Sequence, residues 1–328
     1  RDVAPSRGLG DVYKRQDWGS PYKVRVRLFP ALIDFLKACR ARRIKVALSS
    51  WFREDADNVR MALSTPQAMA KCWIDTLRLI ANAGLMDTIL YVDLCNEFPG
   101  DFWSPYFRND PPWMTWSCWH TDAAMDYMRT AIALVRQEYP DLPYCFSFDG
   151  ENTHFYRERD LSFFDLAEHH IWMTKLNKQQ FYHEVGQAKD GRFTEEAYHL
   201  LADHALDVYH NKEAYWKQLL VDGIQTLAAD AKAAGLPLAT TECWGITDYK
   251  DFPMLPWDWV KDLCARGVET ACQTGQWALM ATSNFAAPQF CGMWRDVAWH
   301  QRLTTMIHEA PLPPEAEKTA LGRTMRWK

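Results

Sequence analysis

Short unbroken apolar runs alternate along this chain with longer stretches in which apolar positions recur every three to four residues. The first pattern is that of a strand buried on both faces; the second is that of a helix buried on one. Ser20-Pro21 can cap a helix carried by FPALIDFLKACRARR, and IKVALSSWF (44–52) then reads as a strand. Thr65-Pro66 opens a second helix with Met69, Cys72, Trp73, Leu77 and Ile80 on one face, stopping near Gly84. TILYVDLCNE follows as a strand, and 122–138 as an amphipathic helix. PYCFSFDG (143–150) is a strand, 157–164 a short helical stretch, and DLAEHHIWM (165–173) a strand. The segment 194–234 reads as two helices, PLATTECWG (237–245) as a strand and WDWVKDLCARGVETACQ as a helix. WALMATSNF (277–285) and WHQRLTTMIH give the last strand and helix.

Six units of buried strand plus helix predict a parallel sheet covered by helices. The chain has no GxGxxG after its first strand and no GxxxxGK[ST], so it lacks the glycine loops that cradle dinucleotide or nucleotide phosphates. A doubly wound sheet and a (β/α)8 barrel remain, and the polar positions choose between them. Ser49-Ser50, Asn96-Glu97, Asp149, His169-His170, Glu242 and Ser283-Asn284 all fall at the C-terminal ends of strands, where barrel active sites are built. The expected fold is therefore α/β, a (β/α)8 TIM barrel without its first two βα units. Residues 1–16 (RDVAPSRGLGDVYKRQ) show no hydrophobic period and read as a non-native or disordered leader; 17–328 read as one barrel domain.

Composition narrows the partners. The 328 residues carry a net charge of −5 and no basic block, which argues against nucleic acid as a ligand. No apolar run approaches the roughly 18 residues that span a bilayer, so no membrane partner is expected. Nine cysteines are scattered with no CxxC pair, the pattern of free thiols in a reducing, cytoplasmic compartment. Sixteen tryptophans either fill a large aromatic core or supply flat platforms for sugar rings. Oligomeric state is left open.

Two strands end on a glutamate after an apolar run: Glu97 and Glu242. A single such residue is costly to bury unless it is paired or used, and one alone can be a strand-end ion-pair partner. Two in matching positions across a cleft are what glycoside hydrolysis needs: one carboxyl to protonate the leaving oxygen, the other to attack the anomeric carbon or activate water. Asn96, beside Glu97, can hold a sugar 2-hydroxyl. Other chemistry finds no support. HEVGQ at 183 lacks the second histidine of a zinc motif, no other His/Cys spacing forms a ligand set, and there is no GxSxG elbow. No metal and no cofactor are expected.

With these residues in place the chain resembles clan A of the glycoside hydrolases, most closely the family 5, cellulase-like group, over roughly residues 20–310. "DLCNE" matches the end of the family's fourth strand, which implies Glu97 as acid/base with Asn96 before it. "TTECWG" matches the end of the seventh, which implies Glu242 as nucleophile of a retaining β-glycosidase acting on a carbohydrate. The family's sixth strand often carries His-x-Tyr; here His170-x-Trp172 stands there, so the phenol that would steady the nucleophile is replaced. Phe98 separates Glu97 from Pro99, where the family reads Asn-Glu-Pro. His169 and His170 alternate faces, and the match assigns His170 to the mouth. Trp51, Trp103 and Trp244 are offered for sugar stacking, with Trp172 and Asn284 as further contacts; each tryptophan can equally be core. Trp259 reads as core. The alternative of a different class is a cellulase-like protein that binds sugar without turning it over.

Overall fold

The computed structural model describes residues 2–3, 26–52, 58–108, 118–187, 194–246, 255–283 and 295–326. The leader, save Asp2–Val3, lies outside them, as does Asn284.

The strands are β1 (Val46–Ser49), β2 (Ile89–Asp93), β3 (Tyr144–Cys145), β4 (Phe148–Asp149), β5 (Ala167–Trp172), β6 (Leu238–Thr240), β7 (Cys243–Trp244) and β8 (Trp277–Met280). β3 and β4 are two halves of one line, and so are β6 and β7, giving six lines in all. Every pairing among them is parallel, and each line neighbours those before and after it in the chain. A doubly wound sheet reverses its strand order midway; this one never does. Its winding is that of a barrel, with no pair closing the ring among the described residues. A short antiparallel contact also joins Asp2–Val3 to Val26–Arg27.

Between the strands run α1 (Leu28–Ala41), α2 (Pro66–Asn82), α3 (Asp122–Glu138), α4 (Phe155–Glu158), α5 (Leu176–Val185), α6 (Glu195–Asn211), α7 (Glu213–Ala233), α8 (Asp258–Thr274) and α9 (Val297–Glu309), followed by α10 (Pro314–Lys318) and α11 (Leu321–Thr324). Thr65 caps α2 by accepting from the Ala68 amide at 3.2 Å, and Pro66 sits at the first turn, where its missing N–H costs nothing. Met69, Trp73, Leu77 and Ile80 are buried as their spacing requires; Cys72 is only partly so. Thr121 and Thr194 cap α3 and α6 in the same way. The helix expected over 157–164 forms earlier, at 155–158, and α5 has no apolar period strong enough to announce it. One continuous apolar core runs from Leu36 to Leu321. No described helix is long and apolar enough to cross a membrane. Trp259 is core as expected, against Phe181 and Tyr209.

Candidate active site

β2 is fully buried, and its apolar run ends at Asp93, four residues before Glu97. Leu94 to Asn96 carry the chain across the mouth, tied by the Asn96 amide to the Ser50 carbonyl at 3.0 Å. Glu97 then takes a left-handed backbone, φ 45°. A non-glycine residue pays roughly 1–3 kcal/mol for that conformation, so the surroundings must hold it there. They do. The Glu97 amide donates to Ser147 Oγ at 3.0 Å, the Phe98 amide to the Ser147 carbonyl at 2.9 Å, and the Gly100 amide to the Glu97 carbonyl at 2.7 Å. Ser147 is itself fixed, because its amide and hydroxyl both donate to the buried Asp93 carboxylate at 2.8 Å. Ser49 adds a third bond to Asp93 at 2.6 Å. Burial still lifts Asp93 to about 6 against these bonds.

The same turn aims the Glu97 carboxyl into the mouth. Oε2 accepts from Trp103 Nε1 at 2.9 Å, and Oε1 lies 3.0 Å from His170 Nδ1. Strand alternation places Glu168, His170 and Trp172 of β5 on one face, and His169 on the other, where Tyr156 and the Gly150 carbonyl engage it. His170 therefore stands beside Glu97, and His169 does not.

Glu242 reaches the same point from the β6–β7 line. β6 pairs with β5 as Ala239 to Glu168, but β7 pairs with it as Cys243 to Ile171, so the register slips by one residue between them. Such a bulge re-aims the side chains around it. Glu242 Oε2 ends 3.8 Å from His170 Nδ1. The ligand atoms of Glu97, His170 and Glu242 all lie within 4.8 Å of one another, and all three side chains are buried.

Charge is divided unequally here. Burial pushes Glu97 upward, but the Lys175 ammonium, His170 and the Trp103 N–H outweigh it and hold Glu97 at about 2. Burial lifts Glu242 to about 8; His170 opposes this and Glu97 reinforces it. No described hydrogen bond steadies the Glu242 carboxyl. His170 would lose its proton by burial alone, yet Glu242 and Glu97 keep it up to about 10. The surroundings thus favour charge on Glu97 and a proton on Glu242 and on the His170 ring.

Lys175 and Asp149 complete the mouth. Their side chains form a short ion pair, and the Lys175 ammonium stands 5.7 Å from the Trp172 ring centroid. Nothing local in the sequence marks Lys175, three residues past β5; Asp149 was visible only as a polar strand end.

The other expected contacts divide. Asn96 is buried, and its Nδ2 forms no hydrogen bond among the described residues; the same holds for Trp172 Nε1. Two buried donors so placed suit hydroxyl groups of a ligand. Trp51 is half-buried, its ring 4.8 Å from that of Trp103. Trp103 serves Glu97 as a donor rather than lying open as a platform. Trp244 corrects the expectation. It is wholly buried against Gly267 of α8 and donates to the Ala281 carbonyl at 3.0 Å, so it offers no face to a sugar.

The model of a family described as sugar-binding cellulase-like matches residues 6–308. A crystal structure of a candidate glycoside hydrolase from Parabacteroides distasonis ATCC 8503 is similar at 46% identity and TM-score 0.92, covering 99% of this chain and 84% of that one. The GH53 catalytic domain of Ignisphaera aggregans aligns over 77% of this chain and 66% of that one, at 10% identity and TM-score 0.43, too distant a likeness to carry an inference. No curated protein matches the chain.

Proposed function

The chain belongs to the sugar-binding cellulase-like family, and on that premise we propose that it is a retaining β-glycoside hydrolase with Glu97 as acid/base and Glu242 as nucleophile. The observation that carries this is the pair itself: two buried glutamates from strand lines with two others between them in the sheet, with a carboxyl oxygen of each within 4.8 Å of the other and His170 beside both. Retaining enzymes set their carboxyl groups about 5–5.5 Å apart, whereas inverting ones leave roughly 6.5–9.5 Å for a water. The proximity supports double displacement.

Catalysis needs the shared proton on Glu97 and the charge on Glu242, the reverse of the arrangement the side chains alone favour. A sugar supplies the shift. Its 2-hydroxyl donates to Glu242, with Asn96 Nδ2 donating to that hydroxyl's oxygen, so the Glu242 anion gains a donor and its proton passes to Glu97. His170 Nδ1, 3.0 Å from one carboxyl and 3.8 Å from the other, is the relay. Glu97 then protonates the leaving oxygen as Glu242 attacks the anomeric carbon, and later takes a proton from the water that releases the sugar.

The low-lying Glu97 also supports a second reading, a sugar-binding protein without turnover, in which both carboxyls only accept from sugar hydroxyls. Incubation with 2-deoxy-2-fluoro-β-glycosyl fluorides of the gluco, manno and xylo series separates the two. Covalent sugar on the Glu242 peptide, lost in Glu242→Gln, is expected. Sugar binding by calorimetry with no label on any peptide would give the second reading. In the enzyme, Glu97→Gln lowers kcat on natural glycosides by about 10²–10⁴-fold.

A further inference from the structure

Beneath the proposed catalytic pair lies a third buried glutamate with no place in the reaction. Glu168 is 1% exposed and sits two residues before His170 on the same face of β5. Its Oε2 accepts from Tyr91 Oη of β2 at 2.6 Å. Its Oε1 accepts from both the amide and the hydroxyl of Thr241, each at 2.8 Å. The same Oε1 is 3.7 Å from His170 Nε2. One carboxylate therefore touches three things: the strand that leads to Glu97, the residue directly before Glu242, and the far side of the imidazole that stands between them.

A carboxylate this deep is unneeded for packing and expensive to desolvate unless well partnered. Its place explains a feature the catalytic pair leaves open. An imidazole flanked by carboxyls on one nitrogen only is free to turn or shed its other proton; which nitrogen stays protonated is set by the partner of the other. Glu168 faces that nitrogen at 3.7 Å, at ion-pair distance rather than as a hydrogen-bond acceptor, and its charge favours a proton there. Through Thr241 it also pins the bulged backbone just ahead of Glu242.

We propose that Glu168 is a positioning residue: it holds the His170 ring with Nδ1 toward Glu97 and Glu242, and fixes the bulge that aims Glu242. The inference rests on the glycosidase reading for its consequence in catalysis, but not for its geometry. The charged groups facing His170 are Glu97 beyond β2, Glu242 in the bulge, Glu168 on its own strand and Asp149 of β4, with His169 adjacent; Lys175 beyond β5 faces the carboxyls of Glu97, Glu242 and Asp149.

The test is the His170 imidazole followed by nitrogen-15 NMR from pH 5 to 10, in the wild type and in Glu168→Gln. The wild type is expected to keep Nε2, the nitrogen facing Glu168, protonated at pH 7; an Nε2 without its proton there would overturn the proposal without any variant. Glu168→Gln is expected to lower the His170 midpoint by about one unit, the effect of removing one close charge in a shielded site. Glu168→Asp, which restores the charge, is expected to recover most of it. On the fluoro-sugar donors, Glu168→Gln slows labelling of Glu242 by about 10- to 100-fold, the scale of a misplaced reacting group, with affinity for unreactive sugar changed less than threefold. An unchanged His170 midpoint in Glu168→Gln, with Glu242 still labelled at the wild-type rate, refutes the positioning role and leaves the glycosidase intact. A shifted midpoint in a protein that never labels refutes the glycosidase and leaves the positioning role intact.

Discussion

At the scale of single residues, the mouth stores protons, and that has a consequence for stability. Glu242 is lifted from an ordinary 4.5 to about 8, mainly by burial, and His170 from 6.5 to about 10, where Glu242 and Glu97 overcome burial. Between each pair of values the folded chain binds more protons than the unfolded one, so stability falls as pH rises through both windows. Glu97 acts oppositely: held at about 2, its contribution is complete above about 4.5 and is lost only as pH falls toward 2. His169, kept neutral by burial with a value of about 4, makes stability rise between about 4 and 6.5. Above 6.5 only the falling terms remain. The thermal midpoint of the wild type is therefore expected to decline steadily from pH 6.5 to 10, and Glu242→Gln to flatten the part below 8. A wild-type midpoint that climbs across that range would contradict the proton assignment. Glu97 and Glu242 were legible in the sequence because a charge that ends an apolar run must be used or paired. Lys175, Ser147 and the Trp103 N–H were not, because their roles arise only when separate strand ends meet.

At the scale of elements, α8 lies so close to β7 that Gly267 leaves no room for a side chain. A Cβ there would stand 2.6 Å from Trp244 Cγ and 2.7 Å from Trp244 Cβ. Gly267→Ala gains about 1 kcal/mol of helix propensity, but the atoms it meets belong to the root of a buried indole, which cannot swing aside. Overpacking costs about 1–3 kcal/mol, so a net loss is expected, seen as a lower midpoint in chemical unfolding. Gly223→Ala in α7 is the control. Its Cβ meets Leu176 Cδ1 at 2.9 Å, the free end of a flexible chain that can yield, and it should fall within about 1 kcal/mol of neutral. A Gly267→Ala protein as stable as the wild type would mean that Trp244 is not wedged there. The strands and most helices were readable from period alone, since buried strands and one-faced helices leave different apolar spacings. Two interruptions were not. PYCFSFDG reads as one strand, yet it breaks at Phe146–Ser147, where Ser147 bonds Asp93. TTECWG likewise gives no sign of the bulge, nor that Trp244, taken for a sugar platform, packs against α8 in the core.

At the scale of the whole molecule, the two ends of the strand bundle do different work. The proposed catalytic groups gather at the C-terminal ends, as the polar strand ends foretold. At the N-terminal ends Asp165 accepts from Arg136 at 2.7 Å, from the Tyr144 amide at 2.9 Å and from the Ala320 amide at 3.4 Å. The last of these ties the C-terminal segment to the base of the sheet. α11 completes the plug, with Leu321 wholly buried in the common core and no polar role to fill. Conserving the top for chemistry and the base for stability is the general division in barrels, and here it can be tested with one side chain. Leu321→Ala removes buried apolar volume at the base and is expected to cost about 2–5 kcal/mol, read as an earlier denaturation midpoint. Leu321 follows Ala320, which is tied to Asp165 at the opposite end of the strands from Glu97 and Glu242, so the His170 titration and the rate of Glu242 labelling, measured well below the unfolding midpoint, should match the wild type. If the labelling rate falls in step with stability under those conditions, the base and the mouth are mechanically coupled, and the division between them does not hold.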